Sequence, residues 1–251
     1  VKHLSLIGAG AIVAACSSAN AAIFAWDWTR GQPVSAGISD AGGTIGGIST
    51  SFNTVTNRFT WSVTFTDQVT QGFTLVVSPG PNPKGNAGEL AIIYFDAKVM
   101  NDPKISVYNY NGLNSATSYK DGNPTAGTQA PDRITNTLLE ASTFESFSAV
   151  DAGGKRTLSF AMDATSINNH NPLYPSGDDW TGVEYGQKLG IWFHPYKNLT
   201  RTYNDSGYLT NWSGTDGWMD GNNIPTREVP TPGAFALGGL AGLAMIRRKR
   251  A

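Results

Sequence analysis

The stretch Arg58-Phe59-Thr60-Trp61-Ser62-Val63-Thr64-Phe65-Thr66 places large apolar side chains at 59, 61, 63 and 65 and small hydroxyl residues between them. A period of two is the signature of a strand with one buried face and one solvated face. Working outward, Gly72-Phe73-Thr74-Leu75-Val76-Val77-Ser78 reads as a second strand, ended by Pro79-Gly80-Pro81. Leu90-Ala91-Ile92-Ile93-Tyr94-Phe95 is apolar at every position, as a central strand covered on both faces would be. Similar runs predict strands at Ile23 to Trp28, Ile48 to Val55, Ile105 to Tyr110, Arg156 to Met162 and Leu189 to Phe193, with Thr56-Asn57 suited to a tight hairpin. Only Asp132 to Ala141, behind Pro131, offers a helix. Short strands parted by Gly, Pro, Asn and Asp predict an all-β domain, an antiparallel β-sandwich of jelly-roll type. No linker interrupts 23 to 224 and no internal repeat is visible, so this body reads as one domain.

Composition agrees. Charged residues are 15% of the 251-residue chain against a usual ~25%, and 40% are hydrophobic, which excludes a disordered polyelectrolyte. The single cysteine, Cys16, excludes an intramolecular disulfide and a zinc site built on several thiolates.

The two ends read as addresses. Lys2 leads into the apolar run Leu4 to Ala15, the length of a signal-peptide core, and Ala19-Asn20-Ala21 supplies a small-x-small cleavage site, so residues 1–21 read as an export signal helix for a signal peptidase. A second processing reading stands beside it: Val13-Ala14-Ala15-Cys16 resembles the lipobox of bacterial lipoproteins, in which the cysteine is lipidated. At the other end a Pro-rich linker, 225–233, precedes an apolar Gly/Ala/Leu segment, 234–246, and the basic tail 247–251 with Arg247, Arg248, Lys249 and Arg250. From Val229 to Ile246 the run is 18 residues, marginal against the ~20 that span a bilayer. Four positive charges behind it should hold the tail in the cytoplasm while the short helix pauses in the membrane.

Val229-Pro230-Thr231-Pro232-Gly233, followed by that helix and basic cluster, resembles a PEP-CTERM sorting signal, with Thr231 where the family name has Glu. The resemblance covers only about residues 229 to 250. It implies a Gram-negative-type bacterium, recognition of Val229, Pro230, Pro232 and Gly233 by the membrane transpeptidase exosortase, cleavage near the prolines, and delivery to the cell surface or the exopolysaccharide matrix. A sortase signal would want Leu-Pro-x-Thr-Gly, and a GPI signal ends in its apolar tail, so both fit worse. A permanent C-terminal membrane anchor is the remaining alternative.

Between the signals, at 22–224, lies the ectodomain. Lys2 and the four C-terminal bases are five of the 18 basic residues, so the rest of the chain has 13 bases against 19 acids. Such a body has no electrostatic case for nucleic acid, and the membrane is met only through the terminal helices. No Gly-x-Ser-x-Gly, His-Glu-x-x-His, phosphate loop or dinucleotide fingerprint is present, which argues against an enzyme of those classes. His170 and His194 are too few for a histidine-rich metal site, and His194, before Pro195, reads as a strand-end residue. Asp216-Gly217-Trp218-Met219-Asp220-Gly221 resembles half a calcium loop, with Asp216 and Asp220 at positions 1 and 5, but Arg227 stands where a bidentate Glu belongs. No cofactor is expected beyond that weak calcium motif.

Trp180, Trp212 and Trp218, with Tyr185, sit in segments rich in Asp, Gly, Ser and Asn. Exposed rings stack on sugar faces while neighbouring carboxylates and amides bond the hydroxyls, so these four are the candidate glycan-binding residues; the alternative is that they plug the ends of the sandwich. A glycoside hydrolase would need two facing carboxylates, for which Asp163, Asp178, Asp179 and Glu184 are available. The sequence therefore reads as an exported surface or matrix protein with a structural, adhesive or glycan-binding role, against the alternative of a secreted glycan-active hydrolase.

Overall fold

The computed structural model describes residues 22–34, 37–114, 116–123, 127, 130–174 and 180–230. The strands in chain order are β1 (Ile23–Thr29), β2 (Gly37–Ser39), β3 (Ile45–Asn53), β4 (Arg58–Phe65), β5 (Gly72–Ser78), β6 (Ala91–Asp96), β7 (Lys104–Asn109), β8 (Arg133–Asn136), β9 (Ser146–Ala152), β10 (Lys155–Asp163), β11 (Lys188–Tyr203), β12 (Leu209–Asp216), β13 (Trp218–Pro225) and β14 (Arg227–Val229). A one-turn helix, α1 (Thr165–Asn168), follows β10. Six strands form one sheet in the order β14-β1-β3-β4-β10-β9; the second runs β2-β13-β11-β5-β6-β7-β8, with β12 paired to β11. The named strands pair antiparallel throughout.

The two sheets pack face to face. Phe59, Trp61, Val63 and Phe65 of β4 all point into the space between them, as their alternation requires. There Trp61 meets Phe193 of β11 at 5.5 Å between ring centroids, and Phe73 stacks on Phe95 at 4.8 Å. On the opposite face of β4 the intervening hydroxyls bond their neighbours across strands, Thr60 to Ser51 at 2.7 Å and Thr64 to Thr157 at 3.1 Å. The β3–β4 hairpin turns at Asn57, whose φ of 51° is the left-handed conformation that Asn tolerates.

The eight-stranded sheet carries a second apolar layer on its outer face. Val76, Ile92, Tyr94, Tyr108, Trp192 and Tyr196 lie there, and Leu209 and Trp212 of β12 cover part of them. Every residue of β5 and β6 is consequently buried, which explains the uninterrupted apolar run at 90–95.

Three features depart from the sequence reading. The helix expected over Asp132 to Ala141 is a strand, β8, paired with β7, followed by a 3-10 turn at Ala141–Thr143. Two side chains account for it: the Asp132 carboxylate accepts from the Leu173 amide and bonds His170 instead of capping a helix, and the Asn136 side chain forms a local turn by accepting from the amides of Leu138 and Leu139. Secondly, β11 does not stop at Phe193 but continues to Tyr203. Pro195 is accommodated because its carbonyl, and so its missing N–H, faces the β12–β13 turn, where Gly217 donates to it. Thirdly, strand structure continues past Ile224: Arg227–Val229 crosses to the six-stranded sheet and pairs with Ile23–Ala25, so β14 occupies part of the expected linker.

No helix among the described residues is long and apolar enough to cross a membrane. The signal at 1–21 with Ala19, Ala21 and Cys16, the segment 234–246, and Pro232, Gly233, Arg247, Arg248, Lys249 and Arg250 lie outside the described residues.

Candidate functional site: a groove on the outer face of the large sheet

Period-two geometry puts Trp192 and His194 of β11 on the same outer face, and the register pairs Trp192 with Asp220 of β13. Trp218, two residues before Asp220, shares that face. These four side chains form one wall and the floor of a cavity of about 580 Å³ whose other rim is Lys84-Gly85 and Gly112-Leu113-Asn114. That volume falls within the usual range of ligand sites, ~300–1,000 Å³. A second cavity of about 340 Å³, lined in part by Tyr196, Ser213 and Asp216, shares His194 and Asn114 with the first. The first is a trough beside β11 that the second adjoins at His194 and Asn114.

The rims are built locally. Asn111 holds the Gly112–Asn114 turn by accepting from the Leu113 amide, while its own amide N–H donates to Ser118. The Tyr110 hydroxyl donates to Leu113 at 2.8 Å, and its ring lies 5.0 Å from Trp192. Trp218 is the exposed ring of the site, 37% accessible, and leans across Gly37 of β2. Gly37 has a φ of +117°, and a Cβ there would come within 2.9 Å of the indole. Glycine thus both permits the backbone and makes room for the ring.

Electrostatics divide the two carboxyl groups. The hydrogen bond from the His194 ring holds Asp216 below the ordinary carboxylate range, with Nδ1 and Oδ2 3.1 Å apart. An ionised carboxylate only accepts, so Nδ1 carries the proton in this contact. Burial instead pushes Asp220 up, against the partial opposition of His194 and Lys84. Oδ1 of Asp220 and Nε2 of His194 are both buried without a hydrogen-bond partner. Two orphaned polar atoms at one floor mark where the fold leaves bonding capacity unused.

The sequence-predicted residues are distributed unequally. Only Trp218 joins the groove as an exposed ring. Trp212 is buried against Tyr94 and Tyr196, at 5.3 and 5.4 Å, in the layer covering the outer face. Tyr185 is buried between the sheets, its hydroxyl bonded to Thr50 at 2.9 Å and its ring beside Phe52. Trp180 donates its indole N–H to the Ile167 carbonyl and packs against the inter-sheet core. Trp212 and Tyr185 are thus enclosed in the sandwich, and Trp180 is partly buried against it. Asp216 ends β12 and Asp220 lies within β13, so the segment read as half a calcium loop is two strands joined at Gly217. Among the described residues no group of three or more His, Cys, Asp or Glu side chains is placed to hold a metal ion. Asp163 is turned onto the Thr165 amide, Glu184 is pushed up by burial, and Asp178 and Asp179 lie outside the described residues. The sequence reading does not single out Trp192 and His194 as candidate site residues. The signal was available: with Tyr196 they repeat every second residue, but Pro195 masked it.

Comparison with protein-family models, with curated proteins and with solved structures finds no match for this chain.

Proposed function

We propose that the protein is an exported bacterial surface or extracellular-matrix protein whose β-sandwich binds glycan in the trough under Trp218. The observation that carries the binding reading is one exposed indole, Trp218, at a cavity of about 580 Å³ whose lining also holds the polar side chains of Lys84, Asn114, His194 and Asp220. An apolar ring face with hydrogen-bonding groups at its edge matches the two-sided chemistry of a sugar. The export reading rests on the resemblance of residues 229–250 to an exosortase signal, with signal peptidase and exosortase as transient partners. The same reading takes the sandwich as a jelly roll, supported by a chain that visits one sheet with β3 and β4, the other with β5 to β8, returns with β9 and β10, and crosses again with β11.

The test is co-sedimentation of the intact protein with exopolysaccharide from its host. Wild type should pellet with the polymer and Trp218→Ala should remain in solution; equal behaviour of the two would refute the site. A second reading, a glycan hydrolase, draws on Asp216 held ionised and Asp220 pushed up on either side of His194, the division of states that an acid and its partner carboxylate require. Release of reducing ends in the same incubation, lost in Asp220→Asn, would favour it over binding alone.

A further inference from the structure

The geometry points to β9 as the contact through which two copies of this chain associate, edge to edge and antiparallel, about a two-fold axis at Ala149. The trough lies on the other sheet, so the inference stands apart from the glycan reading.

The first observation is which edges the fold leaves open. Among the described residues, β2, β8, β9, β12 and β14 each have one neighbouring strand. β2 and β14 are three residues long, and Pro230 follows β14. β8 has four residues behind Pro131, and the pairing of β12 with β11 is broken by two register shifts. Shortness, proline and bulges are the usual devices that keep an edge from pairing with another chain. β9 has none of them: its seven residues, Ser146–Ala152, hold an unbroken register with β10 and include neither lysine nor proline.

The second is which backbone groups face outward. β9 turns into β10 through Gly153 and Gly154, whose φ values of 57° and 75° fit the two-residue type I′ hairpin. Ala152 and Lys155 flank that turn as a mutually bonded pair, and bonded pairs alternate along an antiparallel ladder. Phe147, Ala149 and Asp151 therefore present their N–H and C=O groups to the open edge, where a further strand adds by main-chain hydrogen bonds.

The third is self-complementarity, which a two-fold contact requires. Centred on Ala149, a second β9 sets Phe147 against Asp151 of the second copy and Ser148 against its Val150. The only charge on the strand is Asp151, and Arg156 already meets it at 2.7 Å. Moving the axis to Ser148 would oppose Asp151 to Glu145, moving it to Asp151 would oppose two carboxylates, and moving it to Val150 would set Phe147 against the glycine turn. Like charges directly opposite disfavour the first two, and lost ladder length disfavours the third. Val150 is 52% exposed, and Leu138, 64% exposed, shares a cavity with Phe147, so this edge also has apolar surface to offer. An axis perpendicular to the sheet keeps like faces on one side, so both troughs of such a dimer open in the same direction, the arrangement that avidity for a polymer requires.

Sedimentation velocity of the intact protein from about 1 to about 100 μM tests this, and wild type should pass from monomer to dimer in that range. Ala149→Pro removes an outward N–H and leaves the β9–β10 ladder whole, so it should raise the dissociation constant at least tenfold while the melt stays cooperative. Val150→Lys leaves the backbone unchanged, places a charge at the edge and should weaken association as much. Association through any other part of the chain would survive both substitutions. Disulfide trapping in a Cys16→Ser background reads the register. Ser148→Cys mixed with Val150→Cys should cross-link on oxidation, because opposed residues of a non-bonded pair have Cα atoms about 4.5 Å apart and a disulfide spans ~4.4–6.8 Å. Neither variant alone should cross-link. Dimers that persist in both β9 variants, or a cross-link formed by one cysteine variant alone and not by the mixture, would overturn the inference. A chain that stays monomeric throughout would overturn it too, and leave the edge to a strand of another protein.

Discussion

Ile23 lies directly opposite Val229 in the antiparallel pair β1–β14, so the first and last strands of the body are hydrogen-bonded neighbours. Arg227 adds an ion pair to Asp27 at 2.8 Å. Val229, at the start of the Pro-containing stretch, is therefore part of the sheet, and Pro230, unable to donate, follows where the strand ends. A chain ending at Pro230 should melt like the longer one. A chain ending at Pro225 loses the three-residue strand and should be about 1–3 kcal/mol less stable in urea denaturation. For the exported protein, intact mass should show a chain that begins near Ala22 and retains Val229. A C-terminus running through Ala251 would contradict sorting.

Trp212 and Trp218 look alike in sequence, each preceded by small or polar residues, yet their surroundings diverge. Trp212→Ala removes a fully buried indole and should cost about 3–5 kcal/mol. Trp218→Ala removes a ring that is 37% accessible and should cost less, about 1–2 kcal/mol, while abolishing glycan retention. Paired urea melts and binding assays separate the two.

Asp220 illustrates a site held against stability. Its folded-state pKa is raised by burial, so the stability linked to it is complete below the unfolded value of ~3.9 and is lost as pH rises through the folded value. Asp220→Asn should accordingly raise the melting temperature at pH 8, with the gain shrinking to nothing near pH 3, and weaken binding at pH 8. A mutant less stable than wild type at pH 8 would count against a functional carboxylate in a costly place.

The opposite sign governs Asp27, Asp151 and Asp216. Hydrogen bonds from Arg227, Arg156 and His194 respectively hold their pKa values down. Their contribution is present above the unfolded carboxylate value and is lost as pH falls through the depressed folded values. Denaturant midpoints should fall between pH 5 and pH 2, and Asp151→Asn should flatten that decline while lowering the midpoint at pH 7.

Gly37 tests the support of the exposed ring. Gly37→Ala adds a methyl where the Trp218 indole lies and places a side chain at a φ of +117°. It should weaken glycan retention while leaving a cooperative melt, since β2 is a three-residue edge strand. Unchanged retention would mean that the ring's seat on Gly37 is incidental.

Much of the fold was legible because period-two patterning is a local property. The quoted strand at 58–66, the run at 72–78 and the apolar strand at 90–95 follow from their own residues. The site was less legible because it depends on which strands become neighbours. Trp212 sits among Asn, Ser and Gly, which reads as an exposed loop, but the β11–β12 hairpin lays it on Tyr94 and buries it. His194 was obscured by Pro195, whose missing donor matters only if a ladder is needed on that side, and here the β12–β13 turn stands there. The pairing of Trp192 with Asp220 joins residues 28 apart and has no local signal.

The central claim is that glycan enters the trough at Trp218. The most direct measurement is a titration of the isotope-labelled protein with a neutral oligosaccharide, followed through the assigned indole N–H signals in NMR spectra. The account predicts that Trp218 and Trp192 shift in a saturable way while Trp61, buried between the sheets, does not. Saturable shifts confined to other tryptophans, or none at millimolar ligand across neutral and acidic oligosaccharides, would contradict it.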